Sequence, residues 1–182
     1  MKSKLHKYII IPFYKILAKI RNNANVINIF DALKEARKIL VLMPQDPEEF
    51  KVAWEILPQL EISFPDAKLT VIMQELYWKL SREQGHYGMI FVSKSDRNIW
   101  DLPQRSLINK VAASNYDIAI DLNHDFSLLS TLLCHKSNAP LRICIKDPDR
   151  DPFYNVSFRA AEQDGLDGIY KNLFKYLNAR VK

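Results

Sequence analysis

Short apolar runs alternate with apolar residues at helical spacing along most of this chain. Five runs have the length and branched aliphatic content of buried strands, and they are ILVLM (39–43), KLTVIM (68–73), YGMIFV (87–92), YDIAIDL (116–122) and LRICI (141–145). The spacing around them predicts helices over residues 27–37, 48–63, 75–84, 103–114, 127–135 and 168–179, with a short extra strand over 153–158.

This alternation predicts an α/β fold. Apolar strands joined by helices form a mostly parallel sheet covered on both faces, which is a single Rossmann-like domain of three layers. We place this domain at residues 25–182 and a basic amphipathic helix before it at 1–24. Such folds bind ligands at the carboxyl ends of their strands, so the segments to inspect are 45–49 after the first strand and 123–127 after the fourth.

The charge of the chain is concentrated at its N-terminus. Residues 1–21 hold six Lys or Arg and no Asp or Glu, out of totals of 26 basic and 21 acidic residues. Residues 22–182 therefore hold 20 basic and 21 acidic side chains and are close to neutral. A nucleic-acid-binding domain usually carries basic residues along a folded face, so we predict no nucleic-acid partner.

The N-terminal segment MKSKLHKYIIIPFYKILAKIR has two interpretations, and the sequence leaves both open. Its lysines interrupt the apolar residues before they reach a membrane-spanning length, and Pro12 either kinks the helix or starts its second part. At helical spacing one broad apolar face comprises Leu5, Ile9, Ile10, Phe13, Ile16, Leu17 and Ile20. Packing of this face on the domain itself is one interpretation. The other is a helix peripheral to an anionic inner membrane, with contacts from Lys4, Lys7, Ile9, Phe13, Lys15, Ile16, Lys19 and Ile20.

The loop after the first strand reads Pro44-Gln45-Asp46-Pro47-Glu48-Glu49 and has no glycine. Glycine usually lets such a loop approach a phosphate closely, and clustered acids disfavour an anion there. Glu49 is a candidate general base, or simply an acid in the first turn of a helix, where the helix dipole favours it.

Polar side chains also follow the fourth strand. We predict that a ligand such as a sugar binds at this edge of the sheet. The predicted ligand-binding residues are Asp46, Glu48, Asn123, His124, Asp125 and Ser127. The alternative is turn chemistry and a helix cap, for which Asp125 and Ser127 are both placed.

Composition predicts neither a cofactor nor a metal ion. The chain has only four glycines, which argues against a glycine-rich phosphate loop. Cys134, Cys144, His124 and His135 lack the spacing of zinc ligands, and the two cysteines are typical of buried residues in a reducing compartment, with a disulfide less favoured. The segment DPDRD (147–151) lacks the glycine and distal Glu of a calcium loop, so we predict a solvated turn.

Five segments together resemble one known family. They are KILVLMP, SFPDAKLTVIM, NYDIAIDLNHDFSLLSTLLC, APLRICIKDP and YKNLFKYLNAR, in that order. Their order and spacing over about residues 37–180 resemble the first domain of the ADP-heptose:lipopolysaccharide heptosyltransferases, glycosyltransferase family nine. The resemblance implies one half of a GT-B arrangement of two Rossmann-like domains, in which the acceptor binds mainly the first domain and the sugar nucleotide mainly the second.

The resemblance also implies a changed active site. The family has a Gly-Asp pair after the first strand, and its aspartate is proposed to deprotonate the acceptor hydroxyl. Counting back from Phe64-Pro65-Asp66-Ala67 places Glu48-Glu49 at that pair. Glu49 keeps a carboxylate on a longer side chain, and Glu48 replaces the glycine.

Three hypotheses about function follow. The first is a truncated, glycosyltransferase-like protein of a bacterial cytoplasm that binds a sugar, a glycolipid or a partner in envelope glycolipid synthesis and does not catalyse alone. The second is the acceptor half of a split glycosyltransferase, with Glu49 as base and a second chain that supplies the nucleotide-sugar domain. The third is a non-enzymatic module that interacts with a membrane surface.

Overall fold

The structure is a computed structural model that describes residues 6–21, 27–79, 87–159 and 165–181. It begins with a π-helix, His6–Ile10, that continues into α1, Ile11–Arg21. The other helices are α2 (Ile29–Glu35), α3 (Pro47–Ser63), α4 (Arg105–Ala112), α5 (Leu128–Lys136) and α6 (Gly165–Val181). The strands are β1 (Lys38–Leu42), β2 (Lys68–Gln74), β3 (Gly88–Val92), β4 (Ile118–Asp121), β5 (Leu141–Ile145) and β6 (Val156–Phe158).

The strands form one sheet in the order β3-β2-β1-β4-β5-β6, and every pairing is parallel. This confirms the predicted Rossmann-like α/β fold preceded by an N-terminal helix. Successive residues of β1 point to opposite faces of the sheet. Ile39 and Val41 pack with α2, α3 and α6 on one face, whereas Leu40 and Leu42 pack with α1, α4 and α5 on the other. The sheet therefore lies between two helical layers.

Local sequence explains where three of the described helices begin. Asn28, Asp46 and Ser127 cap α2, α3 and α5 by accepting hydrogen bonds from backbone N–H groups of the first turn. Ser127, and not Asp125, is thus the cap of α5. The predicted helix over 75–84 is a single 3₁₀ turn at Glu75–Tyr77, and residues 80–86 lie outside the described part of the chain.

The N-terminal helix packs on the domain through a different face from the apolar face that the sequence predicts. Ala18 is buried in the core beside α4 and α5, and Ile10, Ile11 and Tyr14 are partly buried against it. Lys15 forms an ion pair with Asp149 in the loop after β5. Its ammonium is therefore directed at the domain, which removes the support for the predicted membrane contact of Lys15.

Several predicted membrane contacts remain at the surface or lie outside the described side chains. Ile9, Phe13 and Ile16 are exposed, as is Lys19. Lys4 and the side chains of Lys7 and Ile20 are outside the described part of the structure. Among the described residues, none of the helices has both the length and the apolar content to cross a bilayer.

The two cysteines are free and buried, as the sequence predicts. Burial raises the pKa of the Cys144 thiol to about 12 and raises that of Cys134 as well. Both thiols therefore act as apolar packing groups.

Candidate functional site at the ends of β1 and β4

The two segments that the sequence predicts as a site lie side by side. β1 pairs with β4, and Leu42 lies opposite Asp121 at their carboxyl ends. The chain leaves β1 toward β2 on one side, while β4 and β5 continue the sheet on the other side. The crevice outside this reversal of strand order is where open α/β sheets bind their ligands.

Gln45 joins the two loops. Its backbone N–H donates to Oδ1 of Asn123 at 3.1 Å, and its side-chain amide donates to the hydroxyl of Ser127 at 2.6 Å. Its carbonyl accepts hydrogen bonds from Tyr77 and Gln74 at the end of β2. The sequence predicted that the acids of this loop form the site, but the residue that holds the loop in place is Gln45.

Asn123 is the buried centre of the same network. Its amide nitrogen lies 2.7 Å from Oδ1 of Asp121, 3.1 Å from Oγ of Ser130 and 3.4 Å from the carbonyl of Met43. Its side-chain oxygen accepts from Gln45. With only 4% of its surface exposed, Asn123 is turned into the core and positions the two loops.

Two more predicted ligand-binding residues serve as helix caps. Oδ1 of Asp46 accepts from the backbone N–H of Glu48 at 2.9 Å and of Glu49 at 3.1 Å. The Ser127 hydroxyl accepts from the backbone N–H of Ser130 and from Gln45. The alternative that the sequence left open, turn chemistry and capping, describes these contacts.

Glu49 reaches across from the first turn of α3 to the β4 loop. Its Oε2 accepts a 3.1 Å hydrogen bond from the backbone N–H of His124. Burial raises the pKa of this carboxyl group above its ordinary value, and the hydrogen bond and His124 only partly offset that effect. Glu49 is thus a partly buried carboxylate at the switch point, with a pKa shifted in the direction that suits a general base.

The exposed rim of the site is polar and largely acidic. Glu48 is exposed and pairs with Lys51. Nδ1 of His124 lies 3.4 Å from Oδ1 of Asp125, whose side chain is 95% exposed. Of the predicted site residues, Asp46, Glu48, His124 and Asp125 are exposed, Glu49 and Ser127 are half-buried, and Asn123 is buried. In the described ranges no cluster of three or more His, Cys, Asp or Glu side chains has the arrangement of a metal site.

Arg150 corrects the prediction of a solvated turn at residues 147–151. It is fully buried, and it donates hydrogen bonds to the carbonyls of Asp125 and Ile145. Although burial opposes its charge, the carboxylate of Asp121 and other nearby groups raise the pKa of Arg150. Asp121 in turn accepts a hydrogen bond from the hydroxyl of Tyr154. Asp125, one of the two carbonyl partners of Arg150, lies 25 residues earlier in the chain, so the burial of this arginine has no local sequence signal.

One known protein family matches most of this chain. A model of a protein family, described as a family of unknown function (DUF6913), matches residues 7–179. The chain belongs to that family. Among curated proteins, no match is found.

Solved structures of similar fold include three glycosyltransferases. A family-nine glycosyltransferase from Veillonella parvula has a TM-score of 0.64 at 19% identity, with 80% of this chain and 42% of that chain covered. The E. coli heptosyltransferase WaaC with ADP has a TM-score of 0.60 at 16% identity, with 76% of this chain and 46% of that chain covered. E. coli ADP-heptose lps heptosyltransferase II has a TM-score of 0.57 at 18% identity, with 74% of this chain and 39% of that chain covered. The chain thus shares their fold over less than half of the length of each.

Proposed function

We propose that this protein is an acceptor-side, glycosyltransferase-like unit that binds a sugar or glycolipid at the ends of β1 and β4 and does not transfer a sugar by itself. The observation that carries the proposal is the position of Glu49. It lies at the switch point of a fold shared with family-nine glycosyltransferases, at the place where the sequence resemblance puts the catalytic base. There its carboxylate bridges the two loops.

The chemistry of the rim favours hydroxyl groups over anions. Segments 43–49 and 122–127 contain four acidic residues and no Lys or Arg. Carboxylates accept hydrogen bonds from sugar hydroxyls, and they repel phosphate and carboxylate groups. We therefore place a neutral sugar beside Glu49, His124 and Asp125.

The proposal concerns the acceptor side of a glycosyl transfer. A glycosyl transfer needs a bound nucleotide sugar as well as an acceptor, and this chain spans less than half of the length of the three glycosyltransferases. The proposed role is therefore acceptor binding in bacterial envelope glycolipid synthesis, at the cytoplasmic side of the inner membrane. We also propose that Glu48-Glu49 stands at the position where the resembled family has its Gly-Asp pair.

Saturation-transfer NMR tests the acceptor site. The full chain is screened against a panel of neutral mono- and disaccharides, with phosphorylated sugars for comparison. We expect signal from a neutral sugar that disappears in Glu49→Ala, Asp125→Ala protein. The matched control is Glu55→Ala, which removes an exposed acid from the same helix away from the rim. No signal from any sugar, or equal signal in the double variant, contradicts the proposal.

A second candidate function is that of a split enzyme in which Glu49 is the catalytic base. The observation that favours it is the raised pKa of Glu49, because a base is most effective when its pKa approaches the working pH. Its test begins with recovery of a stoichiometric partner that binds a nucleotide sugar. In the reconstituted pair, Glu49→Gln should lower kcat by about 10²-fold or more. Full activity of that variant would exclude the role.

A further inference from the structure

Exposed large apolar side chains are concentrated on the first helical segment. In the described part of the chain twelve such side chains are exposed, and five of them lie within residues 8–17, namely Tyr8, Ile9, Phe13, Ile16 and Leu17. Ile9, Phe13 and Ile16 are 59%, 56% and 58% exposed. Contiguous exposed apolar surface on a folded protein marks a site of interaction with another body.

This exposed face is opposite to the face that packs on the domain. At 3.6 residues per turn, Phe13, Ile16 and Leu17 of α1 fall within an arc of roughly 100°, and Ile9 precedes them in the π-helix. Ala18, at the centre of the packed face, projects about 150° from the middle of that arc. The domain core is already covered by the Ala18 face, so the second apolar face is not needed for folding.

The anchoring of the helix keeps the apolar face turned outward. Tyr14 and Ala18 pack against the core, and Lys15 pairs with Asp149 on the loop after β5. A side chain on the opposite arc cannot reach the core unless these contacts break. The next residue in that loop, Arg150, holds the carbonyl of Asp125, so the helix is tied to the same edge of the sheet as the candidate site.

Charge decides which partner fits this face. Residues 1–21 carry six basic side chains and no acidic ones, and Lys19 is exposed on the flank of the apolar arc. A second copy docked face to face would bring two acid-free cationic segments together, which is unfavourable. An anionic lipid surface accepts the apolar face in its interior and attracts the lysines to its headgroups.

We propose that the first helical segment, His6–Ile10 and α1, seats this protein on anionic membranes, with Ile9, Phe13, Ile16 and Leu17 inserted at the lipid interface and Lys19 among the headgroups. The helix lies in the plane of the interface, with the domain on its other side. This binding does not depend on whether the strand ends hold a sugar.

Vesicle flotation of the full chain tests the proposal. The vesicles contain phosphatidylcholine alone or phosphatidylcholine mixed with phosphatidylglycerol. The test variant is Phe13→Ser, Ile16→Ser, and the matched control is Ile62→Ser, which removes an apolar side chain 73% exposed on α3 in the opposite helical layer. Circular dichroism checks that each variant is folded. A further variant, Phe13→Trp, reports insertion through quenching of its fluorescence by brominated lipid.

We expect wild-type protein and Ile62→Ser to float with the mixed vesicles. The double variant should bind at least about tenfold more weakly, because two interfacial apolar contacts are lost. Phe13→Trp should be quenched only when anionic lipid is present. Failure of the wild type to float, or equal flotation of the double variant, overturns the proposal. The proposal is also overturned if the wild type does not bind lipid but forms a dimer that the double variant abolishes. That result would show that a second copy occupies the face.

Discussion

The backbone N–H of His124 donates a 3.1 Å hydrogen bond to the carboxylate of Glu49, which lies 75 residues earlier in the chain. This contact joins the first turn of α3 to the loop after β4 at the switch point of the sheet. The same carboxylate is partly buried, and its pKa is raised. One side chain therefore both ties the two loops together and supplies the candidate acid–base group.

Glu49→Gln should change how stability depends on pH. Because the folded-state pKa of Glu49 lies above its ordinary value of 4.5, the folded protein retains a proton that the unfolded chain loses first. The contribution of Glu49 to the free energy of unfolding therefore falls as pH rises from that value through the raised pKa. Gln keeps an acceptor for the His124 N–H and does not titrate. We expect the variant to be at least as stable as wild type near pH 7 and the difference to vanish in acid.

Urea unfolding at a series of pH values measures this difference, with Glu48→Gln as the control on the adjacent exposed acid. The explanation fails if the wild type becomes more stable than Glu49→Gln as pH rises through the same window.

Asn123→Ala should destabilise the protein strongly. The substitution leaves the backbone N–H of Gln45 without its side-chain acceptor and removes the hydrogen bonds to Asp121 and Ser130 in a buried setting. We expect a loss of about 2–4 kcal/mol, since a buried polar group left unsatisfied costs about 1–3 kcal/mol. Denaturant unfolding measures it, and His124→Ala, at an exposed neighbouring position, should change stability by less than about 0.5 kcal/mol. Equal effects at both positions would refute a central role for Asn123.

Asp46→Ala should cost about 1 kcal/mol through loss of the α3 cap. Asp46→Ser should recover most of this stability, because a serine hydroxyl also accepts from the first turn. If Asp46 only caps the helix, the serine variant also keeps full sugar binding in the NMR screen. A serine variant with wild-type stability but no sugar binding would instead restore Asp46 to the set of ligand-binding residues.

Arg150→Met should leave Asp121 buried without its cationic neighbour. It also removes the donor to the carbonyls of Asp125 and Ile145, and a buried polar group left unsatisfied costs about 1–3 kcal/mol. Arg159→Met, at an exposed position, should change stability by less than about 0.5 kcal/mol. Adding Asp121→Asn to Arg150→Met should recover part of the loss if the two charges interact. Purely additive losses in this double-mutant cycle would show that they do not.

The sequence predicts the sheet well because its strands are buried on both faces. Strands such as LRICI need apolar residues at nearly every position, and that signal is local. Which face of the first helical segment packs on the domain is not predictable in this way. Ile9 and Ile10 belong to one apolar arc by periodicity, yet only Ile10 packs against the core, because the choice depends on the position of α4 and α5.

The location of the candidate site is predictable, but the roles of its residues are not. Parallel strands bring 45–49 and 123–127 to one edge, and this follows from the fold class alone. Which polar groups face solvent depends on which backbone groups they satisfy. Asn123 turns inward to Gln45, and Arg150 finds its carbonyl partner on Asp125. Neither contact has a local sequence signal.

Amide chemical-shift mapping of the labelled full chain, titrated with a neutral sugar from the screen, tests the central claim most directly. The account predicts that perturbed amides cluster in residues 43–49 and 122–127, and that Glu49→Gln weakens the response. Perturbations confined to other surfaces, such as the groove lined by Gln59 and Phe174 between α3 and α6, would contradict an acceptor site at the ends of β1 and β4.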